Sequence, residues 1–169
     1  MDLNFKQYSS EGYPLIILHG LFGNLSNWGW HSKALASQFQ VYGLDLRNHG
    51  ASPHSDDMDY PLMVADVLEF LDAQGIERCH VLGHSMGGKV AMELALSTPQ
   101  QVKQLMVVDI APVDYLSTAA AHDQVFAGME ALDLSALGSR QQADKILSEF
   151  VSVKETRLFL LANLRKDSE

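Results

Sequence analysis

Val81-Leu-Gly-His-Ser-Met-Gly-Gly88 is a short apolar run that ends in GxSxG and passes at once into Lys89-Val-Ala-Met-Glu-Leu-Ala-Leu96, a stretch of helical character. A strand before and a helix behind make the pentapeptide a nucleophile elbow, in which the chain turns sharply around Ser85. So tight a turn predicts an unfavourable backbone conformation at Ser85. It also brings strand and helix together, so glycine is required at Gly83 and Gly87, where a Cβ would collide. Ser85 Oγ then stands exposed above the sheet, and the Met86 N–H, at a helix N-terminus, points to where an oxyanion would form.

The segments on either side repeat one pattern. Pro14-Leu-Ile-Ile-Leu18, closed by His19-Gly20, reads as a strand buried on both faces. Asn27 is positioned to cap a helix running to about Gln38, with Trp28, Ala34 and Leu35 inward. Val41-Tyr-Gly-Leu44 is a second short strand, and Leu3 to Gln7 a weak edge strand. Asp59, Tyr60 and Pro61 open a helix whose apolar face is Leu62, Ala65, Val67, Leu68 and Leu71, with Gly75 as its stop. Leu105-Met-Val-Val108 is the next strand, expected to be buried, and it ends at Asp109. Alternating strands and helices predict an α/β fold with a parallel sheet and helices on both faces. Beyond Pro112 the segments Tyr115 to Leu137, Ser139 to Phe150 and Lys154 to Leu164 all read as helical. The expected division is therefore 1–113 as core and 114–169 as a helical lid segment.

Composition narrows the partners. A formal charge of −9 and a pI near 5.1 argue against binding to a phosphate backbone, so nucleic acid is not an expected partner. Cys79 is the single cysteine, which rules out an intrachain disulfide and suggests a reducing compartment. No apolar signal core opens the chain, and no stretch approaches the ~20 apolar residues of a membrane span. A soluble, cytoplasmic protein is the expectation.

Four blocks carry a resemblance: Leu18-His-Gly-Leu-Phe-Gly-Asn24, Asp45-Leu-Arg-Asn-His-Gly50, Gly83-His-Ser-Met-Gly-Gly-Lys89 and Val108-Asp-Ile-Ala-Pro-Val-Asp-Tyr115. In this order the chain resembles the α/β-hydrolase superfamily, and within it the YbfF-type bacterial carboxylesterases. The resemblance implies a parallel-sheet core followed by a helical lid, and hydrolysis of carboxylic esters, with thioesters equally compatible, through an acyl-Ser85 intermediate. It implies a second oxyanion donor from the loop after His19-Gly20, the backbone N–H of Leu21 or, alternatively, of Phe22. Phe22 is also a substrate-binding candidate, and with Trp28 and Trp30 suggests an apolar acyl pocket, although such residues more often form core. No cofactor is implied, and none of the histidines has metal-ligand spacing.

The catalytic acid implied by the resemblance is Asp109, at the end of the strand beside the nucleophile strand. The alternatives are an aspartate that only caps a turn, and Asp114 as a rival acid. His19 reads as structural, His84 as a packing residue of the elbow, and His49 and His54 as solvated. In this superfamily a histidine after the last strand serves as general base. Here the only histidine after Asp109 is His122, in the lid-like segment, so the C-terminal core strands and the histidine loop are expected to be absent. The strand ending at Asp109 would then be an open sheet edge. A complementary C-terminal fragment or self-association is the expected partner, beside the ester substrate. The competing reading is a non-catalytic binding or assembly module, or an inert fragment without its base.

Overall fold

The computed structural model describes residues 1–113, 115 and 119–165, the side chains of 119–122 excepted. It divides into two compact units, Met1–Pro112 and Val113–Glu169. The first holds strands β1 (Phe5–Gln7), β2 (Tyr13–Leu18), β3 (Phe39–Leu44), β4 (Cys79–His84) and β5 (Val102–Val108), with helices α1 (Gly29–Leu35), α2 (Tyr60–Ala73) and α3 (Met86–Ser97). The sheet order is β1-β3-β2-β4-β5, parallel throughout except for β1, which pairs antiparallel with β3. This is the α/β fold expected.

Alternation within the apolar runs explains why the central strands read as continuous hydrophobic stretches. Successive side chains point to opposite faces of a sheet, and here both faces are covered. Ile16, Leu18, Leu44 and Val81 join Val67, Leu71, Val90 and Leu94 of α2 and α3 in one core. Leu15, Ile17, Val41 and Leu82 form a second core on the other face, with Trp28 and Leu35 packed against it.

Local chemistry shifted three expected elements. Asn24, rather than Asn27, starts the helical segment after β2: its Oδ1 accepts from Ser26 N–H at 3.0 Å and opens a 3-10 turn at Leu25–Trp28 before α1. Asp59 caps α2 as expected, accepting from Leu62 N–H at 2.7 Å. The buried face of α2, however, is Met63, Val64, Val67, Phe70 and Leu71, with Ala65 exposed. The rotation follows from Asp66, which is drawn inside by a bidentate pair with Arg47, Nε to Oδ2 at 2.6 Å and Nη2 to Oδ1 at 2.8 Å. Third, β5 is not buried. Leu105, Met106 and Val108 are exposed because β5 ends the sheet and pairs only with β4 among the described residues.

The second unit carries α4 (Ala119–Glu130), α5 (Arg140–Leu147) and α6 (Lys154–Leu161) around Ala143, Leu147 and Leu161. The expected helix to Leu137 ends early. Asp133 Oδ1 accepts from Ser135 N–H at 3.0 Å and Ser135 Oγ at 2.6 Å, a local turn that competes with helix. Among the described residues, no helix is long and apolar enough to cross a membrane.

Candidate active site

The nucleophile candidate sits where β4 stops. Ser85 adopts φ 51° and ψ −116°, outside the regions that side-chain-bearing residues favour, and α3 begins at the next residue. Two neighbours hold this turn. Ser85 N–H donates to Val108 O at 3.0 Å, fastening the elbow to the end of β5, and Lys89 N–H donates to Ser85 O at 3.1 Å. A Cβ on Gly83 would lie 2.2 Å from Gly87 O, and one on Gly87 would lie 2.5 Å from the carbonyl oxygens of Leu18 and His19. These are backbone-to-backbone approaches, so no side chain can move aside. Ser85 Oγ makes no hydrogen bond among the described residues.

Two buried imidazoles tie together the loops after β2 and β3. His19 Nδ1 lies 2.8 Å from Gly20 O and must donate to it, leaving Nε2 to accept from Leu46 N–H at 3.0 Å. Burial pushes the His19 pKa down to about 4, so the ring is neutral at pH 7. His49 repeats the arrangement: Nδ1 donates to Arg47 O at 2.8 Å and Nε2 accepts from Phe22 N–H at 3.1 Å, with burial again lowering its pKa. The expectation of a solvated His49 is therefore corrected. Its loop folds back over β3 because the Asp45 carboxylate accepts from Leu25 N–H at 2.7 Å, Ala51 N–H at 2.9 Å and Asn4 Nδ2 at 2.7 Å. Asp45 and His49 stood in the quoted motif without a role. An acid at a strand end, followed within a few residues by glycine, was the available signal.

The remaining candidates fall around the elbow. Met86 is the first residue of α3, and neither its N–H nor that of Leu21 has a partner among the described residues. Phe22 is held at φ 58°, with its N–H committed to His49. Asp109 follows β5 at φ 56°, its side chain 84% exposed, with Oδ2 3.7 Å from His84 Nε2. His84 keeps the packing role expected of it, its ring lying against Gly20 at the elbow, and gains a polar neighbour in Asp109. Its ring is part-exposed and faces Asp109 on one side and the Trp28 ring, 5.9 Å away between centroids, on the other. Asp114 and the His122 side chain lie outside the described residues.

A family model described as alpha/beta hydrolase fold matches residues 13–160, which takes in the elbow, both imidazole-tied loops and Asp109. The chain belongs to the α/β-hydrolase family. This α/β-hydrolase is 37% identical over 165 residues to Esterase YbfF of Escherichia coli (strain K12), covering 95% of the chain and 64% of that protein. It is 40% identical over 177 residues to the sn-1-specific diacylglycerol lipase ABHD11 of Xenopus laevis, covering 99% of the chain and 56% of that protein. A solved structure titled as a marine microorganism esterase superimposes with a TM-score of 0.95 at 40% identity, over 99% of this chain and 65% of the other. The chain thus spans less than two thirds of the length of each of these relatives.

Proposed function

We propose that this α/β-hydrolase chain is the nucleophile-bearing part of a serine carboxylesterase that acts through an acyl-Ser85 intermediate. The observation that carries the reading is the left-handed backbone at Ser85, which lifts Oγ off the end of β4 at the start of α3. In the proposed reaction Ser85 Oγ attacks the ester carbonyl carbon while a general base takes its proton. The oxyanion is met by the Leu21 and Met86 N–H groups, each contributing about 3 kcal/mol to the transition state. Leu21 is preferred over Phe22 because the Phe22 N–H already serves His49. Collapse of the tetrahedral species expels the alcohol, which takes the proton from the base. Water then attacks the acyl carbonyl by the same route and returns Ser85 to its free form. Asp109 orients the base and balances its charge. The esterase and lipase names of the relatives support an ester as substrate, and thioesters share the chemistry.

The base itself is assigned to a polypeptide that joins the open outer edge of β5, a complementary C-terminal segment or a second copy. Support comes from the histidines of the core. Both ring nitrogens of His19 and of His49 are engaged, and His84 faces Asp109 rather than Ser85 Oγ. In this reading residues 114–169 are the lid segment, and the reaction takes place in the cytoplasm, where Cys79 is kept as a thiol.

The absence of a hydrogen bond to Ser85 Oγ among the described residues equally supports a second reading, in which the chain binds without turnover. Hydrolysis of p-nitrophenyl acetate by the purified chain, compared with Ser85→Ala, separates the two. Turnover lost on substitution supports the esterase; turnover that survives Ser85→Ala removes the acyl-serine mechanism; no turnover by either, with or without an added histidine-bearing C-terminal segment, leaves the binding module. Size-exclusion chromatography with intact mass tests the partner: a lone monomer of 18.7 kDa that hydrolyses ester contradicts a base supplied in trans.

A further inference from the structure

The loop after β2 lies against the nucleophile. A Cβ on Gly20 would stand 3.3 Å from Ser85 Cβ and 2.9 Å from His84 Nδ1, so this backbone abuts the elbow directly. Two residues on, Phe22 holds φ 58°, a left-handed conformation that a phenylalanine keeps only where its surroundings impose it. One such constraint is the buried His49 ring, whose Nε2 accepts from Phe22 N–H at 3.1 Å.

That ring stands on a fixed support. His49 N–H donates to Leu46 O at 3.0 Å, Ser52 N–H donates to His49 O at 3.1 Å, and Ser52 Oγ donates to Asp45 O at 2.6 Å. Donation from Nδ1 to Arg47 O leaves the lone pair on Nε2, and the Arg47 guanidinium is itself locked onto Asp66. Burial favours the uncharged ring. The residue type suits the place. A carboxylate could accept the same N–H, but it would set a negative charge beside the point where an oxyanion forms; a neutral imidazole accepts without opposing that charge.

We propose that His49 is a positioning residue of the oxyanion hole, its ring fixing the Gly20–Gly23 backbone through Phe22 N–H so that Leu21 N–H stays free for the oxyanion at Ser85. The oxyanion rests on the esterase reading; the fixing of the loop does not. His19 has a different part, because its bonds go to Gly20 O and Leu46 N–H, at the foot of the same loop.

The test compares the chain with His49→Leu, which fills the space without an acceptor, and His49→Gln, which keeps an acceptor. Backbone amide NMR signals of Leu21, Phe22 and Gly23 report on the loop without catalysis. n-Butylboronic acid reports on the oxyanion hole without a general base: Ser85 Oγ forms a bond to boron, its proton goes to water, and the negative boronate takes the place of the tetrahedral intermediate. The Ser85→Ala chain is the control for that adduct. The expected result is that His49→Leu displaces the amide signals and weakens the adduct by roughly tenfold or more, while His49→Gln recovers most of both. In the parent chain a scalar coupling between Phe22 N and His49 Nε2 is expected across the hydrogen bond, which tests the tie even where His49→Leu does not fold.

Absence of that coupling overturns the proposal, as do loop amide signals that His49→Leu leaves unchanged. A Ser85-dependent adduct of equal strength in His49→Leu keeps the esterase and discards the positioning role. No Ser85-dependent adduct in any of the chains, with loop signals that follow His49, would discard the esterase and keep His49 as the residue that fixes the loop.

Discussion

His84 Nε2 stands 3.7 Å from Asp109 Oδ2, across the boundary between β4 and β5. His84 and Val108 are paired in register, so the residues that follow them, Ser85 and Asp109, leave the sheet side by side, both with left-handed φ. A carboxylate in this place is not there for stability. Its side chain is 84% exposed, and surface pairs of this kind contribute little.

Asp109→Asn should therefore leave thermal stability within about 0.5 kcal/mol of the parent chain, because asparagine tolerates the same left-handed backbone. With the partner that supplies the base present, ester turnover should fall by roughly tenfold or more, since the neutral amide cannot balance a protonated base. Paired melting curves and p-nitrophenyl acetate rates check this. A substitution that lowers stability while sparing turnover would reassign Asp109 as a turn cap.

Ser85→Gly tests the stored strain. Glycine accepts φ 51° and ψ −116° without a Cβ penalty, so the variant should gain about 1 kcal/mol, read as a melting temperature higher by roughly 2–4 °C. Catalysis is abolished by the same change. A variant that melts lower than the parent would mean that Ser85 contributes contacts which outweigh its backbone strain.

Gly83→Ala should have the opposite effect. The new methyl would sit 2.2 Å from Gly87 O, against backbone that β2 also confines through Gly87. A cost above about 3 kcal/mol is expected, seen as loss of the cooperative melt or of soluble protein. Native-like stability of this variant would show that β4 and α3 can separate, and that the elbow is looser than its contacts imply.

Acid should weaken the core through His19. Its folded-state pKa, about 4, lies below the unfolded value of 6.5, so the unfolded chain takes up a proton at pH values where the folded chain does not. The stabilising contribution is therefore complete above pH 6.5 and is lost as pH falls from 6.5 toward 4. Its size is on the order of 3 kcal/mol. His49, lowered in the same direction, adds to the trend. Urea unfolding at pH 7 and pH 4.5 measures the slope. His19→Gln, whose amide can also donate and accept, should flatten it; an identical slope in that variant would place the acid sensitivity elsewhere.

The fold was readable wherever an element is specified by its own residues. The buried runs of β2 and β4, the glycines of the elbow and the Asp59 cap of α2 all act over a few positions. Failures came where a distant partner decides. The Arg47–Asp66 pair, 19 residues apart in the chain, rotated the buried face of α2 away from its apparent apolar side. His49 looked solvated because its loop is closed by Asp45 contacts that reach back to Leu25 and Asn4. The apolar run of β5 resembled a buried strand, but burial depends on what lies beside it. At the site, Ser85 and Asp109 were legible as residues at strand ends, whereas the Asp109–His84 and Phe22–His49 contacts arise only when the loops are placed.

The order β1-β3-β2-β4-β5 puts the nucleophile strand second from an open border. Adjacent strands lie about 4.8 Å apart, so any strand that adds to β5 would end two strand spacings from Ser85, with its following loop at the height of the elbow. Recruiting a partner and completing the reactive centre would then be one event. On that basis the outer edge of β5 and the elbow form one neighbourhood, so that whatever zips onto that border comes within reach of Ser85.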